Sequence, residues 1–412
     1  MSHTHLSTHE LDSERRWVIS VNKNDFNYVE SSKKLNKEQI RPSLTYWKDA
    51  WRRLKKNKMA MAGMIGVLLI VAIAIFGPMF SKYNYSDQIT DFSNTPPRME
   101  IYQIEEGTYV FLSAQYRLFI VTDSGEIIER LDQTDTDIVN RIYTYDNHGE
   151  PVYLDYSYRL IPDSEIDFKL TYKGVSTTEQ YDKVWNTTFL LGSDNLGRDV
   201  LTRVMYGARI SLTVALVATI VNLFIGVTYG AFSGLEGGKI DNIMMRIVDI
   251  INSIPLLLYV ILLMVIIDDR GLWTIIITLG SIYWVGMARL VRGQVLGLKE
   301  QEYVLAARTI GVRRAKIISR HLIPNAMGPI LVSMTMMIPT AVFTESFLSF
   351  IGLGISAPQA SWGTLANDAL SALSVYPYQL MIPSLAIALT MLSFNFLGDG
   401  LRSALDPRLR KG

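Results

Sequence analysis

The chain has 412 residues, 49% of them hydrophobic and 19% charged, with 40 Lys and Arg against 39 Asp and Glu for a net charge of +1. So apolar a composition is unusual for a soluble domain, and the absence of cysteine excludes disulfides, thiolate metal sites and cysteine nucleophiles. The charges are segregated: residues 81–190 hold 9 basic and 19 acidic side chains, and the rest holds 31 basic and 20 acidic. That asymmetry fits one part facing away from the cytoplasm and another obeying the positive-inside bias.

Residues 1–58 are polar and contain no apolar core of the kind a signal peptide needs, so they read as a cytoplasmic N-terminal tail, poorly ordered over residues 1–40. Leu44, Trp47, Trp51 and Leu54 recur at helical spacing among Lys and Arg, which predicts an amphipathic helix near residues 43–57. It would lie in the membrane interface or, alternatively, form a soluble helical tail. Residues 59–80 follow without a charge, about 33 Å as a helix and enough to cross a hydrocarbon layer of about 30 Å. Residues 81–190 are different material: Tyr109–Leu112, Tyr116–Val121, Glu126–Glu129, Arg141–Tyr145, Val152–Leu154 and Phe168–Tyr172 are short β-favouring runs separated by turn signals such as Asp123-Ser124-Gly125. They predict a small, mostly antiparallel, acidic domain on the outside, either a docking surface or simply a solvated one. Asn186-Thr187-Thr188 within it matches a glycosylation sequon.

Residues 191–402 are expected to hold five further membrane helices, from apolar runs at 210–235, 250–267, 271–288, 325–350 and 380–398. The third and fourth spans form a hairpin around Asp268-Asp269-Arg270. Six crossings put both termini on one side, and the basic residues at 52–58, 289–320 and 402–411 make that side cytoplasmic, including the 403–412 tail. No G-x-x-x-x-G-K-[ST], H-E-x-x-H or G-x-S-x-G pattern occurs, so no P-loop, metal site or catalytic residue is expected on this chain. If the chain performs uphill transport, the energy must come from elsewhere.

Within the cytoplasmic loop 299–324, the stretch from Glu302 to Gly311 reads as a short helix ended by a left-handed glycine, followed by Arg313-Arg314-Ala315-Lys316 and by Pro324 opening the next span. Ala306 and Ala307 are small enough for close backbone approach, so this helix can enter a groove on a soluble partner; an ordinary loop helix is the plain alternative. Glu302-Tyr303 through Ala306-Ala307-Arg308, then Gly311 and Arg320-His321-Leu322-Ile323-Pro324-Asn325, resembles the EAA loop of binding-protein-dependent ABC importer permeases. The version is that of the oligopeptide/dipeptide class, with Leu305 where the general pattern has Glu. The blocks Leu191–Leu201, Tyr206–Leu212, Ala288–Gln294, Leu348–Gly354, Ser361-Trp362-Gly363 and Asn395–Arg402 are also similar to the C-type subunit of that class, over about residues 47–80 and 191–410.

The resemblance implies an all-α polytopic membrane protein of six helices, ABC type I importer-like, carrying an inserted extracellular β-rich domain. It implies half of a peptide pathway, a second homologous permease, two cytoplasmic ATP-binding subunits holding ATP and Mg, and an extracellular peptide-binding protein, with no nucleic acid. Glu302, Tyr303, Ala306, Ala307, Arg308 and Gly311 would couple to the ATPases. Glu345, beyond 20 apolar residues of its span, lines the path or makes a structural bond. Arg246 and Asp249, three apart, are expected to pair. A secondary transporter, or a membrane-anchored receptor sensing a ligand through the β domain, remain the rival readings.

Overall fold

The computed structural model describes residues 46–161, 166–267 and 271–405; the expectations for residues 1–40, Leu44, the Asp268–Arg270 turn and the end of the 403–412 tail fall outside these. Helix α1 (Tyr46–Lys56) leaves Trp47 and Trp51 exposed, whereas Leu54 turns inward onto Ala60 and Ala404. Helix α2 (Lys58–Phe76) begins where the Asn57 side chain accepts from the amides of Met59 and Ala60 at 3.1 and 3.2 Å, satisfying two donors that a helix start leaves open.

Among the described residues the β domain has ten antiparallel strands: β1 (Arg98–Glu105), β2 (Thr108–Leu112), β3 (Leu118–Val121), β4 (Ile127–Arg130), β5 (Asp132–Asp137), β6 (Ile142–Asn147), β7 (Glu150–Asp155), β8 (Lys169–Tyr172), β9 (Val175–Thr177) and β10 (Asp182–Trp185). They form two five-stranded sheets, ordered β10-β1-β2-β3-β4 and β5-β6-β7-β8-β9. Alternation along β1 sends Tyr102 and Ile104 into a core shared with Val152, Leu154 and Leu170 of the second sheet, and Met99 and Ile101 toward Phe92 and Phe189 on the opposite face. Asn186 is fully buried, donating to the Pro96 carbonyl at 3.1 Å and accepting from the Phe189 amide, so the sequon is a structural turn. Tyr378 and Gln379 fix the base of the domain: the Tyr378 hydroxyl donates to the Ser193 carbonyl at 2.7 Å, and Gln379 Nε2 donates to Asn94 Oδ1 at 2.9 Å.

The helical body continues with α3 (Val200–Glu236), α4 (Gly238–Ser253), α5 (Leu256–Ile267), α6 (Leu272–Ile282), α7 (Trp284–Leu298), α8 (Glu302–Thr309), α9 (Arg314–Ile317), α10 (Ile323–Leu348), α11 (Trp362–Asp368) and α12 (Tyr378–Leu405). Five helical stretches among the described residues are long and apolar enough to span a membrane: 58–79, 200–236, 272–298, 314–353 and 378–405. The expected span over 250–267 is broken. Pro255 cannot continue the hydrogen-bond ladder, and α4 and α5 meet at 87°, leaving α5 about 18 Å long. A sixth crossing exists only if that bent pair counts as one span. At the other departure from expectation, helix begins at Arg314, ten residues before Pro324. A π-turn over Ile318–Leu322 widens the helix where Pro324 supplies no N–H, so α9 runs on into α10.

Helices α3 and α7 are the most closely packed pair. Gly226, Gly230 and Gly234, one turn apart, form a groove for α7; a Cβ on Gly230 would lie 2.2 Å from the Ala288 carbonyl oxygen. Antiparallel packing puts the α3–α4 turn, the α7–α10 loop and the end of α12 at one end of the bundle, and the β domain with the start of α12 at the other.

Candidate coupling site

Helix α8 is seated, not free. Val304 is fully buried and Ala307 nearly so, packed with Val227, Ala231 and Leu235 of α3, Val291 and Val295 of α7, and Ala326 of α10. The helix ends in a Schellman closure: the Val312 amide donates to the Ala307 carbonyl at 3.1 Å and the Gly311 amide to Arg308 at 3.0 Å, with Gly311 at φ +77°. Val312 packs into the same core as Ala307, which completes the hydrophobic contact that accompanies this motif. Glu302 stands in the first turn and Arg308 in the last, each favourable to the helix dipole.

The structure separates the two alanines. Ala307 faces the bundle, while Ala306 is exposed together with Glu302, Tyr303, Leu305, Arg308, Ile310 and Gly311. Ile310 is 80% exposed, Leu305 47% and Tyr303 41%, an apolar outer face on a short helix rimmed by Arg308, Arg313 and Arg314. Tyr303 and His321 lie with ring centroids 6.4 Å apart, tying α8 to the π-turn below α10.

Polar ties around α8 were not singled out from the sequence. Arg292 of α7 grips Asp241 of α4 with both Nε and Nη2 at 2.6 Å, and Ser233 of α3 donates to Asp241 Oδ1 at 2.5 Å. Lys299 donates to the Gly234 carbonyl at 2.9 Å, and Arg314 donates to Glu236 at 2.7 Å. Bidentate guanidinium–carboxylate pairing fixes direction as well as distance, so Arg292 and Asp241 orient α7 against α4, while Ser233 and the Arg314–Glu236 pair tie the end of α3 to α4 and α9. The usable signal was Arg292 within the Ala288–Gln294 block; its partner lies 51 residues away and nothing local marks it. Asp249 pairs with Arg289 at 2.8 Å, and not with Arg246 as expected, because α7 brings a guanidinium alongside α4.

Glu345 sits near the opposite end of the bundle and is fully buried. Ser211 of α3 donates to its Oε2 and Ser349 to its Oε1, both at 2.8 Å, so the carboxyl joins α3 to the end of α10 through hydroxyls.

The family described as binding-protein-dependent transport system inner membrane component matches residues 226–411, and the N-terminal TM domain of oligopeptide transport permease C matches residues 45–97. The oligopeptide transport system permease protein OppC of Bacillus subtilis is 41% identical, over 90% of this chain and 92% of its own. The chain belongs to the C-type branch of the binding-protein-dependent ABC importer permeases. The permease is also 41% identical to the dipeptide transport permease DppC of Bacillus subtilis, over 90% of this chain and 88% of that one. Against DppC of Lactococcus lactis subsp. cremoris the identity is 36%, over 93% and 97%. A multi-pass helical membrane subunit of an importer, with a β-rich domain between its first two long helices, is therefore what this permease is.

Proposed function

We propose that the permease forms half of the transmembrane pathway of an ATP-driven importer of oligopeptides or dipeptides, with a homologous permease forming the other half. Both termini and α8 lie in the cytoplasm, and the β domain lies outside, where a peptide-binding protein delivers substrate. Two cytoplasmic subunits bind and hydrolyse ATP with Mg; this chain supplies no catalytic group and needs no cofactor. The transport class is supported by the named activities of its 41% identical relatives.

The coupling role rests on one observation: α8 turns Tyr303, Leu305 and Ile310 outward while Val304 and Ala307 lock it to α3, α7 and α10. A partner gripping the outer face moves the inner one. The Arg314–Glu236 tie, and the Arg292–Asp241 pair through Ser233, pass that displacement to α3, which runs about 38 Å from Glu236 to Ser211, where Ser211 holds Glu345. Co-purification in mild detergent with a second permease and two ATPases, followed by reconstitution, tests the proposal. Peptide uptake that requires all of them with ATP is expected. Uptake by this chain alone, driven by an ion gradient, would refute it.

A further inference from the structure

At the end of the bundle that carries the β domain, Arg203, in the first turn of α3, is 3% exposed. A guanidinium carries five N–H donors and is costly to bury unless they are bonded. Here Nη1 donates to Asp194 Oδ2 at 2.6 Å, Nη2 reaches Asp368 Oδ2 only at 3.5 Å, and the buried Nε has no partner. Asp194 has nothing more to give: Oδ1 accepts from the Leu196 and Arg198 amides, and Oδ2 accepts from Arg198 Nε as well as Arg203. Asp199 is spent on the start of α3, accepting from the Thr202 amide and hydroxyl at 2.8 and 2.5 Å. Asp368 is the remaining carboxylate, about half exposed and 3.9 Å from Arg198 Nη2, too far from either guanidinium for a good hydrogen bond.

Arg203 also lines two cavities of about 200 Å³ that share it and Gln359. One presents Ser356, Thr364, Asn367 and Asp368; the other presents Tyr85 and Tyr206, whose rings lie 4.8 Å apart, and Arg209, whose guanidinium is already engaged with the Ala74 and Ile75 carbonyls at 2.5 and 2.7 Å and lies over the Tyr206 ring. A polar chamber joined to an aromatic one, with an under-bonded guanidinium between them, is shaped for a ligand with one carboxylate and an apolar body.

We propose that this is a substrate subsite at the outer mouth of the pathway. Arg203 receives the terminal carboxylate of an incoming peptide, which competes with the loosely placed Asp368, 3.5 Å from Nη2, and completes the bonding of the guanidinium. The inference rests on the peptide-import reading above and adds the group recognised and the residue that recognises it.

The test uses the complete reconstituted complex with its binding protein and compares initial uptake of trialanine and trialaninamide. The binding protein's own preference is common to every variant, so only the ratio of free acid to amide is compared between them. Arg203→Gln should lower that ratio about tenfold, equal to about 1.4 kcal/mol. Asp368→Asn, which removes the competitor and keeps the shape, should raise it. The same ratio in wild type and both variants overturns the proposal; if Arg203→Gln does not assemble, an unchanged ratio in Asp368→Asn overturns it alone. A change seen only in phosphatidylcholine vesicles supplemented with phosphatidylglycerol, and not in phosphatidylcholine alone, would assign the guanidinium to a lipid phosphate and also overturn it. A wild-type complex that imports neither peptide refutes peptide import itself, a different failure from imports whose ratio does not respond.

Discussion

Gly311 offers the sharpest perturbation of α8, because its cost separates into conformation and space. A Cβ there meets nothing within 4 Å, so steric contact does not oppose a small side chain. The backbone is the obstacle: φ is +77°, and an L-residue with a Cβ in the left-handed region costs about 1–2 kcal/mol. Asn tolerates that region by local hydrogen bonding, Ala bears the ordinary cost, and a β-branched Val bears more. A cost of about 1–2 kcal/mol loosens the closure made by the Val312 and Gly311 amides by roughly 5- to 30-fold. Val312 then leaves the core, and the outer face of α8 loses its fixed relation to α3. In proteoliposomes, peptide-stimulated ATP hydrolysis should follow the order Gly, Asn, Ala, Val, with Gly311→Val lower by about an order of magnitude and membrane insertion unchanged. Full coupling in Gly311→Val, or Gly311→Asn as impaired as Gly311→Val, would refute the conformational argument.

Breaking the Arg292–Asp241 pair by Asp241→Asn should lower the thermal midpoint of the detergent-solubilised complex, at a cost of about 2 kcal/mol because Arg292 is only partly buried. Replacing both residues with apolar ones should cost less than the two single changes added together, and strict additivity would show that the pair is not coupled. Glu345→Gln keeps hydrogen-bonding capacity for Ser211 and Ser349, while Glu345→Leu strands both hydroxyls, so Leu should be the less stable by about 1–3 kcal/mol. Equal melting midpoints for the two would remove the structural role. Arg98 and Trp185 are opposed in register, so residues 98–185 can be excised and the ends joined by a short linker. The shortened permease should still insert and assemble, with uptake reduced at low binding-protein concentration; uptake equal to wild type there would show that the domain is no docking surface.

The helical body and α8 were legible because each rests on local signals. Charge-free runs mark the long helices, and α8 is bounded by a glycine that needs positive φ. Strands β2, β3, β4, β6, β7 and β8 were legible from β-branched and aromatic runs. Strand β1 has no single polar and apolar face, because Met99 and Ile101 bury on one side and Tyr102 and Ile104 on the other, so its alternation changes phase at Ile101-Tyr102; β5 could not have been found by propensity, since Asp132-Gln133-Thr134-Asp135-Thr136-Asp137 forms a strand only by pairing with β6. The bend at Pro255 was legible in principle, but a charge-free run of 18 residues outweighed Asn252, Ser253 and one proline. What the linear chain conceals is pairing at long range. Asp241 with Arg292, Glu236 with Arg314, and Arg203 with Asp368 meet only after the helices have packed. Likewise Ala306 and Ala307 look like one small surface until helical geometry turns them to different sides.

Because the natural chain has no cysteine, single cysteines introduced into α8 report without background. Leu305→Cys, on the exposed face, should crosslink to an ATPase subunit and resist membrane-impermeant maleimide applied from outside intact cells, whereas Val304→Cys, fully buried, should resist the maleimide equally and crosslink poorly. Labelling of Leu305→Cys from the exterior, or crosslinking that fails in an assembled and active complex, would contradict the assignment of α8 as the contact through which ATP hydrolysis moves the bundle.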